Sequence, residues 1–449
     1  MSALLAILAA AVIQVQHLQV PVVTGQDVAV AAVTVPEGVS PEWKIKAVGL
    51  PCGALENAYV KDGYLYVDVA SDKVKRLDRP FRLSVRAKGM KVNNTGAVLH
   101  RLARRVRSAG DDGVAAYRIP GLITTGGGVL VATYDIRKEN SRDLQGDIDI
   151  GISRSTDGGL TWGPMIVAMD MGEYGGLPQN LNGIGDPCIL YDDVTGDILL
   201  FAAWTHGGTA GKAAWWTAGS GFEPADTPQL MMSRSKDGGI TWSAPVNLTR
   251  QIKQEPWNFT FQGPGRGITM ADGTLVVPFQ HQEPEPDRTP AAGVMYSTDR
   301  GETWHVHEYA KINTTESQVV EVAPGVLMLN MRDNRGTGRA VYVTSDMGRS
   351  WQPHESDATL VEPVCMASII KHGDVLLFSN PADADDRRNI TIKMSLDGGK
   401  TWPRSILLDE GEGWGYSCLS MIDNDTVGIL YESSQAHMTF QAVKLKDIR

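Results

Sequence analysis

Ser155-Thr156-Asp157-Gly158-Gly159-Leu160-Thr161-Trp162 is the stretch on which the reading of this chain turns, because it returns. The pattern Ser-x-Asp-x-Gly-x-Thr-Trp recurs at Ser235/Asp237/Gly239/Thr241/Trp242, at Ser297/Asp299/Gly301/Thr303/Trp304 and at Ser395/Asp397/Gly399/Thr401/Trp402. A degenerate copy stands at Thr344/Asp346/Gly348/Ser350/Trp351. Each copy follows one strand-like run and precedes another, which makes it a hairpin. The Asp and Ser side chains bond the turn backbone, Gly takes the positive-φ position and Trp packs between strands. A calcium loop would need further carboxylates at alternating positions and a closing Glu, which no copy supplies. Self-similarity of this kind predicts a radial or solenoidal β array, and a closed ring leaves no sheet edge exposed.

Outside the repeat, short runs rich in Val, Ile, Thr and Leu alternate with Gly, Asp, Asn and Pro clusters, so the chain reads as all-β. At 449 residues it is too long for one ordinary core. Residues 20–88 alternate apolar and polar positions, as in Leu65-Tyr66-Val67-Asp68-Val69, and predict a small antiparallel sandwich. The boundary falls near Asn93-Asn94-Thr95-Gly96, giving an N-terminal domain over 18–95 and a repeat domain over 96–449. Residues 1–17 read as a signal peptide or its remnant: residues 3–13 are apolar and too short to span a bilayer, and a polar run follows. The usual Lys or Arg before such a core is missing, and a buried N-terminal strand or helix is the competing reading. Export implies a secreted, periplasmic or cell-surface protein. No later segment is long and apolar enough for a transmembrane helix.

The net charge of −10 and the lack of a basic stripe argue against a nucleic-acid partner. Cys52, Cys188, Cys365 and Cys418 are widely spaced, with no CxxC pair, and read as buried thiols or at most a disulfide of unknown pairing. His305 and His307 would share one face of a strand, yet no third ligand accompanies them, so no metal and no cofactor is implied.

The repeat resembles the Asp box of the sialidase superfamily, which also occurs in propellers that are not sialidases. A second motif sharpens the resemblance. Tyr117-Arg118-Ile119-Pro120 lies upstream of the first copy and is similar to the (F/Y)RIP signature of sialidases in glycoside hydrolase family 33. The resemblance covers residues 99–443 and implies a six-bladed β-propeller behind a small N-terminal β-sandwich, acting as an exo-α-sialidase on sialylated mucins, glycoproteins or glycolipids, as a monomer or weak homo-oligomer. Two rivals share the fold: a trans-sialidase, intermolecular or intramolecular, and a non-catalytic glycan-binding propeller.

Carried over segment by segment, the resemblance implies a clamp of Arg118, Arg332 (in Leu329-Asn330-Met331-Arg332-Asp333) and Arg387 for the substrate carboxylate. Arg387 and Arg388 are adjacent and only one can face a pocket; the spacing to Thr391 favours Arg387. It implies Tyr416 as nucleophile, Glu316 as its base, Asp143 as acid/base and Glu432 as the acceptor that orients Arg118. Asp135 and Arg137 are rim candidates, with an ion-pair or turn role equally open for Asp135. Met171, Leu177, Ile184 and Trp204 are candidates for an N-acyl slot, and Gln262 and Gln280 for contacts to the glycerol side chain.

These residue types suit the chemistry. Sialic acid carries a carboxylate on its anomeric carbon, and arginine supplies a planar fork of donors that stays protonated. The same carboxylate would repel an Asp or Glu nucleophile, whereas a phenol deprotonated as it attacks avoids that repulsion.

Overall fold

The structure, a computed structural model, describes residues 12–97, 99–284, 286–336 and 338–449. Beyond residue 100 the chain forms six successive sheets. The first is Ala116–Thr124, Leu130–Arg137, Ile148–Ser155 and Ile166–Met169. The second contains Ile184–Tyr191, Ile198–Trp204 and Gln229–Ser235; the third Thr260–Gln262, Leu275–Gln282 and Pro290–Ser297. The fourth begins Thr314–Ala323, Val326–Asp333, Ala340–Thr344, and the fifth Ser368–His372, Val375–Pro381, Ile390–Ser395. The sixth holds Ser417–Asp423, Thr426–Tyr431 and Met438–Lys444, and then takes in two strands from far upstream, Arg101–Arg107 and Pro21–Val23.

Most strands in these sheets are apolar on both faces, and Leu130–Arg137 is buried at every position. The reason is that each sheet is covered on both sides. Ile123 and Val131 of the first sheet share a core with Ile189 and Leu200 of the second. Leu190 and Phe201 pack with Leu275 and Phe279, Val276 with Leu329, Val320 with Phe378, and Leu377 with Ile429. Leu430 and Phe440 of the sixth sheet then share a core with Leu122 and Ala132 of the first. First strands of most neighbouring sheets also touch, the third sheet meets the fourth through Leu275–Gln282 against Thr314–Ala323, and Ser417–Asp423 returns to contact Ala116–Thr124.

The repeated octapeptides are the hairpins between the third and fourth strands. In the first copy Ser155 Oγ donates to Asp157 Oδ1 at 2.8 Å and accepts from Gly159 N at 2.9 Å, while Asp157 Oδ2 takes Thr161 Oγ1 at 2.6 Å. The same bonds recur at Asp237, Asp299, Asp346 and Asp397. Gly159 sits at φ +88°, and a Cβ there would lie 1.9 Å from the Phe440 ring. Trp162 meets that ring edge-on at 5.2 Å and Trp304 meets Phe201 at 5.1 Å. The tryptophans thus pack onto a neighbouring sheet as well as between strands.

Ahead of the six sheets, Val28–Thr34, Leu55–Lys61, Tyr64–Val69, Val12–His17 and Lys91–Gly96 form a five-stranded sheet beside the pair Trp43–Val48 and Arg82–Ala87. Val12–His17 pairs with strands on both sides, so the last six residues of the 1–17 span belong to this sheet. Residues 1–11, which carry most of the apolar leader-like run, lie outside the described residues. All four cysteines are free; Cys52 is exposed, contrary to the expectation of burial, while Cys188, Cys365 and Cys418 are buried. Among the described residues no helix is long and apolar enough to cross a membrane.

Candidate active site

Three of the first strands break their ladder near one end, and the breaks aim side chains into the space between sheets. Ala116–Thr124 shifts register between Arg118 and Gly121, with Ile119 at φ +61°. Ile184–Tyr191 shifts between Gly185 and Cys188, with Asp186 at φ +60°. Thr314–Ala323 shifts between Thr314 and Ser317, around Glu316. Positive φ is costly for a β-branched residue, and bulges re-aim side chains. Arg118, Asp186 and Glu316 stand at or beside these irregularities.

Tyr416, only 6% exposed, gathers the predicted residues around it. Its hydroxyl donates to Glu316 Oε1 in a short hydrogen bond, and Glu316 Oε2 accepts from Arg332 Nη1 at 2.8 Å. Arg332 Nη1 also reaches the Tyr416 hydroxyl at 3.3 Å, and Arg332 Nε is buried with no hydrogen-bond partner among the described residues. The Arg118 and Arg387 guanidinium carbons lie 5.5 and 5.7 Å from the Tyr416 ring centroid. Three arginines from three sheets therefore surround one phenol. Arg387 is anchored by the carbonyls of Trp414 at 3.1 Å and Val364 at 3.4 Å. Arg388 instead turns outward to Asp383 Oδ2 at 2.9 Å, which places Arg387 and not its neighbour at the site.

Glu432 is almost wholly buried and makes four contacts. It accepts from Arg118 Nε at 2.6 Å, Arg118 Nη2 at 3.4 Å, Ile119 N at 3.0 Å and Tyr416 N at 3.1 Å. Burial works against the Arg118 charge, but Glu432 outweighs it and holds the guanidinium above its ordinary value. Burial pushes the Tyr416 phenol well up and Glu316 adds to this, while Arg332 and Arg387 pull it down. The phenol is therefore protonated at neutral pH.

Asp143 lies at the rim with its carboxylate on Arg137 Nη1 at 2.8 Å. Burial raises it, but Arg137 and Arg118 outweigh that and keep the carboxyl below its usual range. Arg137 also forks onto Asp135 Oδ2 at 3.0 and 2.8 Å, so Asp135 is a buried ion-pair partner. Burial pushes the Asp135 carboxyl up even so.

Sequence reading passed over Asp186. Its backbone N–H donates to Asp135 Oδ1 at 2.9 Å, and its carboxylate accepts no hydrogen bond among the described residues. Burial, with Asp135, Asp143 and Glu316 as like-charged neighbours, pushes it well up. The available signal was Gly185-Asp186-Pro187, an interruption inside an apolar run that marks a bulge. Gln262 is buried and donates to the Asp186 carbonyl; Gln280 Nε2 donates to Gln262 O at 3.3 Å. Both side-chain oxygens are buried with no partner among the described residues. Trp204 is 3% exposed, in one apolar cluster with Met171 and Ile184, and meets Tyr174 edge-on at 4.9 Å. Leu177 bridges to that same Tyr174 through the backbone. His307 Nε2 lies 3.0 Å from Tyr296 Oη, and no group of three or more potential metal ligands occurs among the described residues.

A family model for the BNR repeat-like domain matches residues 129–431. A sialidase of Bacteroides fragilis is 55% identical over 368 residues, covering 80% of this chain and 67% of its own. The chain belongs to the bacterial sialidases. A sialidase of Micromonospora viridifaciens is 36% identical over 72% of this chain, which spans half the length of that relative. The solved structure of a Hadza microbial sialidase, Hz136, superposes with a TM-score of 0.88 at 44% identity, covering 97% of this chain and all of the other.

Proposed function

We propose that this sialidase hydrolyses terminal α-ketosidically linked sialic acids from glycoproteins, glycolipids and oligosaccharides, with retention, through a covalent tyrosyl intermediate. The observation that carries the reading is the Tyr416 hydroxyl on Glu316 with Arg118, Arg332 and Arg387 around the ring. The arginines receive the substrate carboxylate. As Tyr416 oxygen attacks the anomeric carbon its proton passes to Glu316, and the departing glycosidic oxygen takes a proton from Asp143. Water then attacks the anomeric carbon of this tyrosyl ketoside from the opened side, giving its proton to Asp143, while Glu316 returns a proton to the departing Tyr416 oxygen. Two displacements leave the configuration unchanged.

The lowered Asp143 carboxyl fits this cycle. Its carboxyl is held low by Arg137 and Arg118, and a substrate carboxylate arriving on Arg118 would cancel part of that field and let Asp143 take up a proton. Asp186, whose carboxylate accepts no hydrogen bond among the described residues and has Asp143 and Glu316 as charged neighbours, is available to a polar group on the sugar.

The six sheets and their closed series of contacts support a six-bladed β-propeller, and residues 12–96 a small β-sandwich against it. The apolar run at residues 3–13 is the ground for proposing export; fractionation of the producing cells tests that part. The enzymatic test is release of free sialic acid from a fluorogenic α-sialoside without added metal, unaffected by EDTA and blocked by an unsaturated sialic-acid analogue. Analysis of products with and without lactose separates hydrolysis from transfer. Loss of activity in EDTA with recovery on a divalent ion would sink the metal-free reading.

A further inference from the structure

Beneath the proposed site lies an ion pair that its chemistry does not use. Arg339 Nη1 donates to Glu362 Oε2 at 2.7 Å, and both side chains are completely buried. Arg339 precedes the strand Ala340–Thr344, whereas Glu362 lies in the link between the fourth and fifth sheets. Removing two charges from water costs several kcal/mol per ion, and apolar replacements of such pairs are often as stable. Stability alone therefore does not account for this pair, and its directional bonds suggest another role.

Those bonds lead to the reacting groups. Glu362 Oε1 accepts the N–H of Asp333 at 3.1 Å, the residue after Arg332. Glu362 Oε2 also accepts the N–H of Cys365 at 3.3 Å, and Arg339 Nη1 donates to the Cys365 carbonyl at 2.6 Å. The remaining Arg339 donors hold Asn330, two residues before Arg332, through Nε to Oδ1 at 2.7 Å and Nη2 to the carbonyl at 3.1 Å. One side of the pair thus brackets the strand carrying Arg332. The other side fixes both backbone groups of Cys365.

Cys365 in turn supports the rest. It packs with Ile119, Met366 and Tyr416, and its Sγ lies so near Gly415 that a Cβ there would approach to 3.1 Å. The preceding residue, Val364, sits at φ +49° and offers the carbonyl that anchors Arg387 Nη2. A β-branched residue does not hold that conformation unless its surroundings impose it. The bonds to Cys365 are such a constraint.

We propose that Arg339 and Glu362 are positioning residues that set the Arg332 strand against the Val364-Cys365 loop, and so fix Arg332, Arg387 and Tyr416 relative to one another. This rests on the functional reading above. Neither residue reaches the substrate; both act through backbone placement.

The test compares the Glu362→Gln enzyme with wild type at a temperature well below the melting point of each. An amide keeps the size but cannot accept at both oxygens. Misplacing reacting groups by about 1 Å lowers rate on the order of a hundredfold, and kcat/KM is expected to fall by that much. Affinity for the unsaturated analogue, measured by calorimetry, is expected to weaken in parallel, because its carboxylate meets the same arginines. Asp447→Asn is the control: it breaks the largely buried Arg101–Asp447 pair at 3.0 Å, far from Tyr416 in the fold, and should lower Tm while leaving kcat/KM unchanged. Where Glu362→Gln yields no folded protein, Arg339→Lys is read the same way, since it keeps the charge and loses the fork onto Asn330 and Cys365. A folded variant whose kcat/KM and analogue affinity stay within about twofold of wild type overturns the proposal whatever its Tm, since a 1 Å error would cost far more. Wild type that cleaves no sialoside removes the functional reading and this proposal with it.

Discussion

A phenol is a poor nucleophile at neutral pH, and burial makes that of Tyr416 poorer still, so the nucleophile proposed here would draw its reactivity from Glu316 and the arginines. A 3-fluorosialyl fluoride should therefore form a slowly hydrolysed adduct on Tyr416, found by peptide mass mapping within residues 413–421. Tyr416→Phe should show neither adduct nor turnover, and Glu316→Gln should label slowly. Label on Glu316 itself would overturn the assignment. Arg332→Lys keeps a charge but not the fork; losing two charge-assisted hydrogen bonds costs on the order of 3 kcal/mol, or about a hundredfold in kcat/KM. Near-normal kcat/KM would take Arg332 out of the clamp. Asp143→Ala should harm substrates with basic leaving groups far more than an aryl sialoside, because a stabilised phenolate departs with little protonation. Equal damage to both would make Asp143 a sugar-positioning residue. The residues gathered at Tyr416 were legible because each sits in a short segment that resembles its family counterpart. Asp186 was marked only by the Gly185-Asp186-Pro187 interruption, which signals a bulge but not what its side chain faces, and the Arg339–Glu362 bond spans more than twenty residues and leaves no local pattern.

At the scale of the element, the hairpins show how much a repeat can tell. Their Ser, Asp, Gly and Thr assignments follow from turn chemistry alone, and the observed bonds are of the expected kind. The packing of each Trp onto a neighbouring sheet was not readable, since it depends on the fold closing. The bonds to Asp299 hold its carboxyl down to about 2 against the opposing effect of desolvation. A carboxyl lowered on folding contributes stability that is complete above its ordinary value near pH ~4 and is lost as the pH falls through its folded value. Melting temperature should accordingly decline between about pH 4 and pH 2. Asp299→Ala removes several turn bonds at an exposed position and should cost about 1 to 2 kcal/mol at pH 7 while weakening that acid dependence. An unchanged Tm across this range in both proteins would show that the hairpin bonds add nothing to stability.

The whole molecule is held by what links its beginning to its end. Arg101–Arg107 pairs with Met438–Lys444 on one side and, in parallel, with Pro21–Val23 on the other, so the sixth sheet is finished by residues from before the first. The same apolar cluster runs from Ile13, Val30 and Leu65 to Tyr134, Phe440 and Cys418, and Arg104 reaches across to the Ser71 carbonyl at 2.9 Å. The sequence offers a boundary near Asn93-Asn94-Thr95-Gly96 as an expectation. The shared core was not legible, because alternation identifies strands without saying which sheet they join. Were the N-terminal region a separate carbohydrate-binding module, its removal would leave a stable enzyme. The contacts predict otherwise. A chain starting at Arg101 would expose the Arg101–Arg107 edge and the apolar faces of Leu102 and Val106, an invitation to intermolecular strand pairing. Such a truncation should aggregate on expression or melt far below the full chain, with activity on a small aryl sialoside lost in proportion to the folded fraction. A soluble truncated protein with unaltered Tm and kcat/KM would show that the N-terminal region is an appendage, and that the six sheets close without it.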